Sequence, residues 1–373
     1  MYKSLLSQAE RIVVKVGTST LTHKNGELNI AFIEKFVRQI ADIRNMGKQV
    51  LVVTSGAVGA GMGKTGITIK PRALPEKQAL AAIGQGILMH MYEKIFAEYG
   101  QTVAQILVTK EDLSDRRRYL NARNTIFSLL NFGAVPIINE NDTVAADEIK
   151  VGDNDALSAL VAGLVDADLL IILSDVDGLY NMDPSHKDAM KITLVEDISD
   201  DLEKSAGGAG SEFGTGGMFT KIQAAKMAQA SGIPMIIADG KKDGVLKEII
   251  AGENPGTLFL PHISRHGTRK CWLAFCSDSC GKIFVDNGAA GALIKKGTSL
   301  LPAGVIGVEG DFEAGNIISI FNTENKEIAR GFTNYSSGEI NIIKGAKTTE
   351  VSTLLGYKDY DEVIHRDNLA LKV

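Results

Sequence analysis

Six short apolar runs alternate with longer amphipathic stretches through the first 260 residues, and this alternation leaves few folds open to the chain. The runs are Ile12 to Val16, Gln49 to Thr54, Thr102 to Leu107, Ala134 to Ile138, Leu169 to Leu173 and Met235 to Ala238. Between them lie stretches of helical period: Ala31 to Met46, Pro75 to Tyr99, Asn121 to Asn131, Asp155 to Val165 and Thr220 to Ser231. Apolar strands joined by helical crossovers predict an α/β fold with a mainly parallel sheet covered on both faces. Ligands of such sheets bind beyond the carboxyl ends of the strands. Lys15 to Gly17, Ser55-Gly56, Asn139 to Asp142 and Ser174-Asp175 all fall at that edge, which gathers four separate motifs into one expected site.

Carboxylates and amides crowd together between Pro136 and Ala159, immediately after the fourth run. Glu140, Asp142, Asp147, Glu148, Asp153 and Asp155 repel one another unless a cation or a ligand ammonium compensates them. Asn139, Asn141 and Asn154 add donors and acceptors that orient a small polar ligand without adding charge. A solvated acidic loop capping the helix near Asp155 is the alternative.

Two lysines stand beside glycine turns. Lys15 interrupts an apolar run and precedes Gly17-Thr18-Ser19, so a buried strand ends in backbone amides beside an ammonium group, an anion cradle. Lys221 follows Gly214-Thr215-Gly216-Gly217-Met218-Phe219-Thr220 and opens a helix, combining a flexible loop, a helix N-terminus and a cation. Taken singly, Lys15 also fits a strand lysine snorkelling to the edge, and Lys221 a surface residue of a first turn. Together with the acidic loop they fit phosphoryl transfer between two anions. A third glycine-rich turn, Thr54 to Gly66, imitates nucleotide motifs without satisfying them. Val58 stands where a P-loop requires its first glycine, and the G-x-G-x-x-G match at Gly61 to Gly66 does not directly follow a strand. Its useful part is Ser55-Gly56, with amides and a hydroxyl suited to a carboxylate.

At 373 residues the chain exceeds what one core usually serves. After Pro261 its character changes. Lys282 to Val285, Val305 to Val308 and Ile317 to Phe321 are β-branched runs punctuated by glycine turns, which predicts a small β-rich module. The expected division is a catalytic domain over 1–260, a linker over 261–280, the module over 281–360 and a tail over 361–373. Acidic side chains slightly outnumber basic ones in the module, and the whole chain carries a net charge of −5, so a nucleic-acid partner is not expected. No run approaches the length of a membrane span and Met1 to Arg11 is polar, which predicts a cytoplasmic protein. Cys271, Cys276 and Cys280 lack a zinc spacing and read as reduced thiols at a domain boundary.

VVKVGTSTL, VTSGAVGAG, INENDTVAADEIKVGDND, SDVDGLY and GTGGMFTKIQAA, in this order, resemble the glutamate-phosphorylating branch of the amino acid kinase family. VDNGAAGAL, GTSLLPAGVIGVEGDFEAG and IARGFTNYSS resemble a PUA domain. The resemblance implies an αβα sandwich followed by a PUA-like domain, and transfer of phosphate from ATP, with Mg2+, to the γ-carboxylate of L-glutamate. It further implies a homo-oligomer, a dimer or tetramer, inhibited by proline, with a possible hand-off of the acyl phosphate to glutamate-5-semialdehyde dehydrogenase. Lys15, Lys221 and Asp155 then correspond to catalytic residues, Asp155 orienting the two lysines. Ser55, Asp142, Asn154 and Asn139 correspond to the substrate site. Lys15, Ser174, Asp175, Thr215, Gly216, Gly217, Met218, Phe219, Thr220 and Lys221 correspond to ATP contacts, with magnesium carried on the ATP phosphates and no side-chain ligand assigned. Lys150 holds a position in the acidic loop whose role stays open.

Overall fold

The computed structural model describes residues 2–23, 25–145, 154–182, 186, 188–199, 202, 217–261 and 279–371. The chain divides into two compact units, Met1–Arg265 and His266–Val373.

In the first unit the strands are β1 (Arg11–Val16), β2 (Gln49–Thr54), β3 (Val103–Val108), β4 (Val135–Glu140), β5 (Leu169–Ser174), β6 (Leu179–Tyr180), β7 (Lys191–Ile192), β8 (Leu194–Val195), β9 (Met235–Asp239) and β10 (Thr257–Phe259). The helices are α1 (Tyr2–Ser7), α2 (Thr18–Leu21), α3 (Ile30–Asn45), α4 (Ala57–Thr65), α5 (Leu74–Glu98), α6 (Lys110–Ser114), α7 (Arg116–Asn131), α8 (Asn154–Leu164), α9 (Met218–Ala230) and α10 (Val245–Ile250). Eight strands form one sheet in the order β3-β4-β2-β1-β5-β9-β10-β8, and its six long strands run parallel. The parallel sheet expected from the sequence is therefore present. β10 departs from it by pairing antiparallel with β9, which the sequence pattern did not anticipate.

The two-residue period of the strands decides what each side chain meets. Ile12, Val14 and Val16 of β1 join Val50, Val52, Leu169 and Ile171 in a core closed by Ile33, Phe36 and Ile40 of α3 and Leu88, Tyr92 and Phe96 of α5. Val13 and Lys15 alternate with them and belong to the opposite face, where α8 packs on β1. α8 is buried nearly all round, from Asp155 through Leu164 except Ala156, as expected of a helix apolar on every side.

The glycine-rich segment after β2 is a helix rather than a turn. Gly56, at φ +94°, supplies the left-handed residue that starts α4. Within the helix, Gly61 lies so close to α5 that an added Cβ would stand 2.0 Å from the Leu80 carbonyl oxygen. Gly84 of α5 reciprocates, at 1.8 Å from the Ala57 carbonyl oxygen. These glycines serve backbone contact between two helices, which explains how the segment imitates phosphate loops without being one.

The second unit holds a five-stranded sheet, order β12-β11-β13-β14-β15, from β11 (Gly281–Val285), β12 (Val305–Glu309), β13 (Ile317–Phe321), β14 (Glu327–Phe332) and β15 (Leu369–Leu371). The β-rich character is as expected, but a ten-residue helix, Asn287–Lys296, stands where the sequence showed no helical period. Asp286 caps it by accepting from the Ala289 amide, and Gly297 at φ +59° ends it. Leu369–Leu371 lies in the stretch set apart as a tail, yet it pairs with β14, and Val363 and Ile364 are fully buried beside it.

Candidate active site

The carboxyl edge of the large sheet and the start of α8 meet in one place. Asn154 and Asp155 are the first two residues of α8, about 100° apart around its axis, and they serve different neighbours.

Asp155 is fully buried and holds both lysines. Its Oδ1 lies 2.6 Å from Lys15 Nζ and its Oδ2 3.1 Å from Lys221 Nζ, and Oδ2 also accepts from the Thr220 hydroxyl at 3.0 Å. Lys15 is 3% exposed and Lys221 5%, so neither is a snorkelling edge residue nor a solvated first-turn residue. Burial acts to raise the Asp155 pKa, but Lys15 and then Lys221 outweigh it and hold the carboxyl below its ordinary range. Asp155 thus bridges two buried ammonium groups with one carboxylate. Lys15 Nζ lies under the turn that follows β1, 3.6 Å from where a Cβ on Gly17 would stand. Lys221 is in the first turn of α9, whose cap residue Gly217 has extended backbone and no side-chain cap. The amides of Met218 and Phe219 at that N-terminus add donors of the kind that receive phosphate oxygens.

Asn154 turns to the ends of β2 and β4. Its Nδ2 donates to the Thr54 carbonyl at 2.6 Å, to Ser55 Oγ at 2.8 Å and to Asn139 Oδ1 at 3.0 Å. Its Oδ1 is buried and without a partner among the described residues. Ser55, Asn139 and Asn154, predicted separately, are thus one hydrogen-bonded cluster. Glu140 and Asp142 follow at the end of β4. Burial, then the nearby charge of Asp142, pushes the Glu140 carboxyl up to about 7. Burial also raises Asp142, against an opposing pull from Lys70. Two carboxyls disfavoured in their charged forms fit a place where a ligand ammonium belongs.

Ser174 ends β5, and its hydroxyl donates to Asp175 Oδ1 of the next residue at 3.2 Å. Lys221, Thr220, Met218, Phe219 and Gly217 form the start of α9, and Thr220 additionally donates to the Gly217 carbonyl at 2.8 Å. Thr215, Gly216, Asp147, Glu148, Lys150, Asp153, Cys271 and Cys276 lie outside the described residues; Cys280 is a free, exposed thiol.

Sequence reasoning missed the contribution of α5. Gln78, Gln85 and Tyr92 recur every seven residues, two turns apart on one face. Gln78 donates to the Ala145 carbonyl at 3.3 Å, Gln85 accepts from Asn139 Nδ2 at 2.8 Å, and the Tyr92 hydroxyl pairs with Thr54 Oγ1 at 2.9 Å. Three polar tips at a seven-residue interval were the signal available in the sequence.

Comparison with known proteins adds independent findings. The model of the amino acid kinase family matches residues 10–239 and that of the PUA domain residues 281–355. The glutamate 5-kinase of Caldanaerobacter subterraneus subsp. tengcongensis is 59% identical over 362 residues, covering 97% of either chain. That of Moorella thermoacetica is 58% identical over 365 residues, 98% of this chain and 97% of its own. The glutamate 5-kinase of Geobacter sulfurreducens is 49% identical over 372 residues and spans all of both chains. A solved structure of UMP kinase from Bacillus anthracis covers 68% of this chain and 96% of its own, with 17% identity and a TM-score of 0.47.

Proposed function

This chain belongs to the amino acid kinase family and carries a PUA domain, and from that premise we propose how its residues phosphorylate glutamate. The reaction is ATP-dependent transfer of a phosphoryl group to the γ-carboxylate of L-glutamate, the activity named in relatives 59% identical along nearly the whole chain. The acyl phosphate product is the first intermediate of proline synthesis.

A γ-carboxylate with a reference pKa of about 4.3 is already ionised at neutral pH, so no general base is required. One carboxylate oxygen attacks the γ-phosphorus, the bond from phosphorus to the bridging oxygen of ADP breaks, and the electron pair leaves with ADP. Both reactants are anions, so the chain's task is alignment and neutralisation of charge. The observation that carries this reading is Asp155 held between Lys15 and Lys221, two ammonium groups gathered by one carboxylate at a buried site. Lys15 steadies the phosphoryl oxygens, and Lys221 follows the charge that moves during transfer. Asp155 keeps the two ammonium groups apart and aimed, a positioning role.

The α9 N-terminus, Gly217 to Thr220, together with Ser174 and Asp175, is suited to the nucleotide. Magnesium, when bound on the ATP phosphates, would supply further neutralisation, and we assign it no side chain. On the other side of α8, Asp142 receives the substrate ammonium, while Ser55, Asn139 and Asn154 orient its polar ends. Proline carries the same α-carboxylate beside a cationic nitrogen, and we assign its inhibition to competition at these residues. We assign the working enzyme to a cytoplasmic homo-oligomer that passes its acyl phosphate to a dehydrogenase.

Trapping with hydroxylamine tests the reading. L-Glutamate and ATP should yield the γ-hydroxamate, suppressed by proline, while N-acetylglutamate and aspartate should yield little. Product from N-acetylglutamate at the same rate would remove the ammonium from the recognition scheme.

A further inference from the structure

We propose that Gln85, on α5, is a positioning residue for glutamate: its side-chain carbonyl satisfies the last donor of the Asn139–Asn154 amide pair and so holds that pair in the orientation that presents Asn154 Oδ1 to substrate. The inference rests on the glutamate reading above and deepens it.

The orientation of each amide follows outward from fixed backbone groups. The Thr54 carbonyl can only accept, so Asn154 must turn Nδ2 toward it, at 2.6 Å, which leaves Oδ1 on the other side. The Glu140 amide can only donate, at 2.9 Å, so Asn139 must turn Oδ1 toward it, and that same oxygen accepts from Asn154 Nδ2 at 3.0 Å. Asn139 Nδ2 is then committed to the far side. Asn139 is 1% exposed, so its nitrogen needs a hydrogen-bond acceptor within the interior. Gln85 Oε1 is that acceptor, at 2.8 Å.

The chain of amides has two open ends. Asn154 Oδ1, an acceptor, and Gln85 Nε2, a donor, are both buried and without partners among the described residues. Buried polar atoms left unpaired are costly and uncommon, and here they close a network at the substrate side of α8. An amino acid brings groups complementary to both, an ammonium that donates and carboxylates that accept. The geometry that lets Gln85 reach the network is the glycine crossing of α4 and α5: Gly84, its immediate neighbour, allows backbone contact with Ala57. With a side chain that lacks an acceptor at position 85, Asn139 Nδ2 is stranded; turning the Asn139 amide over to rescue it presents nitrogen to both the Glu140 amide and Asn154 Nδ2.

The test compares Gln85→Met, which keeps length and loses the acceptor, with Gln85→Glu, which keeps the acceptor. Initial rates of hydroxamate formation give kcat and the KM for each substrate in the full-length protein. Gln85→Met should raise the glutamate KM about tenfold, the effect of losing one hydrogen bond's worth of orientation, with the ATP KM and kcat within about twofold. Gln85→Glu should stay within about threefold of the parent glutamate KM. An unchanged glutamate KM in Gln85→Met, a parallel rise in the ATP KM, or equal damage in Gln85→Glu overturns the proposal. If Gln85→Met does not fold, Gln85→Glu decides alone, and a tenfold rise in its glutamate KM is contrary. Failure of the parent protein to make hydroxamate refutes the glutamate reading itself; product from the parent with an unaffected Gln85→Met refutes only the role of Gln85.

Discussion

Replacing Asp155 by Asn keeps the shape of the side chain and removes the negative charge that bridges two buried lysines. Asp155 is fully buried and its oxygens stand 2.6 and 3.1 Å from Lys15 and Lys221, which are 3% and 5% exposed. Removing one partner of a buried pair costs about 3–5 kcal/mol, because the charge left behind is desolvated and uncompensated. For a unit of this size that lowers the melting temperature by on the order of 10 °C. The lysines then repel each other, and loss of their alignment should lower kcat at least a hundredfold, about 3 kcal/mol for each displaced donor. A triphosphate supplies the missing negative charge. The stabilisation by a non-hydrolysable ATP analogue should therefore be larger in Asp155→Asn than in the parent, since ligand binding and charge compensation act on the same two ammonium groups. The assay is thermal unfolding with and without the analogue, alongside hydroxamate kinetics. A variant as stable as the parent without nucleotide, and within tenfold of its kcat, would refute the argument that Asp155 compensates and aims both lysines.

Other substitutions separate the two sides of α8. Lys221→Ala should lower kcat about a hundredfold with little change in the glutamate KM, whereas Asp142→Ala should chiefly raise that KM; steady-state kinetics showing the reverse would exchange their roles. Folding raises the Glu140 carboxyl from 4.5 to about 7, so within that window the folded protein retains a proton that the unfolded chain has released, and this group's contribution to stability declines as pH rises through it. Ionised Glu140 strengthens attraction for the substrate ammonium, so the glutamate KM should fall as pH rises through about 7, and Glu140→Gln should flatten the profile; an identical profile in the variant would dismiss Glu140 as its source. Gly84→Ala should cost about 3 kcal/mol because its Cβ would stand 1.8 Å from a backbone oxygen, while Gly86→Ala, two residues along with open space, should stabilise α5 by up to about 1 kcal/mol; denaturant titration of both decides whether close backbone packing is what Gly84 serves.

The parts of the site legible in the sequence were those with local grammar. β2 begins and ends where its apolar run does, and β1 and β5 differ from expectation by one residue at one end. Lys15 announced itself by interrupting an apolar strand, since a charge there demands a partner. That Asp155 answers both lysines depends on packing: the alternation of β1 places Lys15 on the face of the sheet that α8 covers, and no local pattern states which helix covers which face. The glycines of α4 read as a turn and imitate phosphate loops for a physical reason. A residue without a Cβ permits close approach of any backbone, whether to a phosphate or to a neighbouring helix, and only the tertiary contact with Leu80 and Ala57 distinguishes the two. Gln85 escaped notice because the seven-residue recurrence of Gln78, Gln85 and Tyr92 gains meaning only when the strand ends they meet are known. The antiparallel strand β10 and the short strand β15 each have three residues, too few for periodicity to speak.

The most direct measurement of the central claim follows an oxygen atom. Glutamate labelled with 18O in its γ-carboxylate is turned over with ATP, and the acyl phosphate is trapped with hydroxylamine, which attacks carbon and releases phosphate. If the γ-carboxylate attacks the γ-phosphorus, the bridging oxygen leaves with the phosphate, and each phosphate released with hydroxamate carries one 18O. Phosphate without label, accompanied by ADP, would show that water received the phosphoryl group, and would contradict transfer to glutamate at the Lys15–Asp155–Lys221 site.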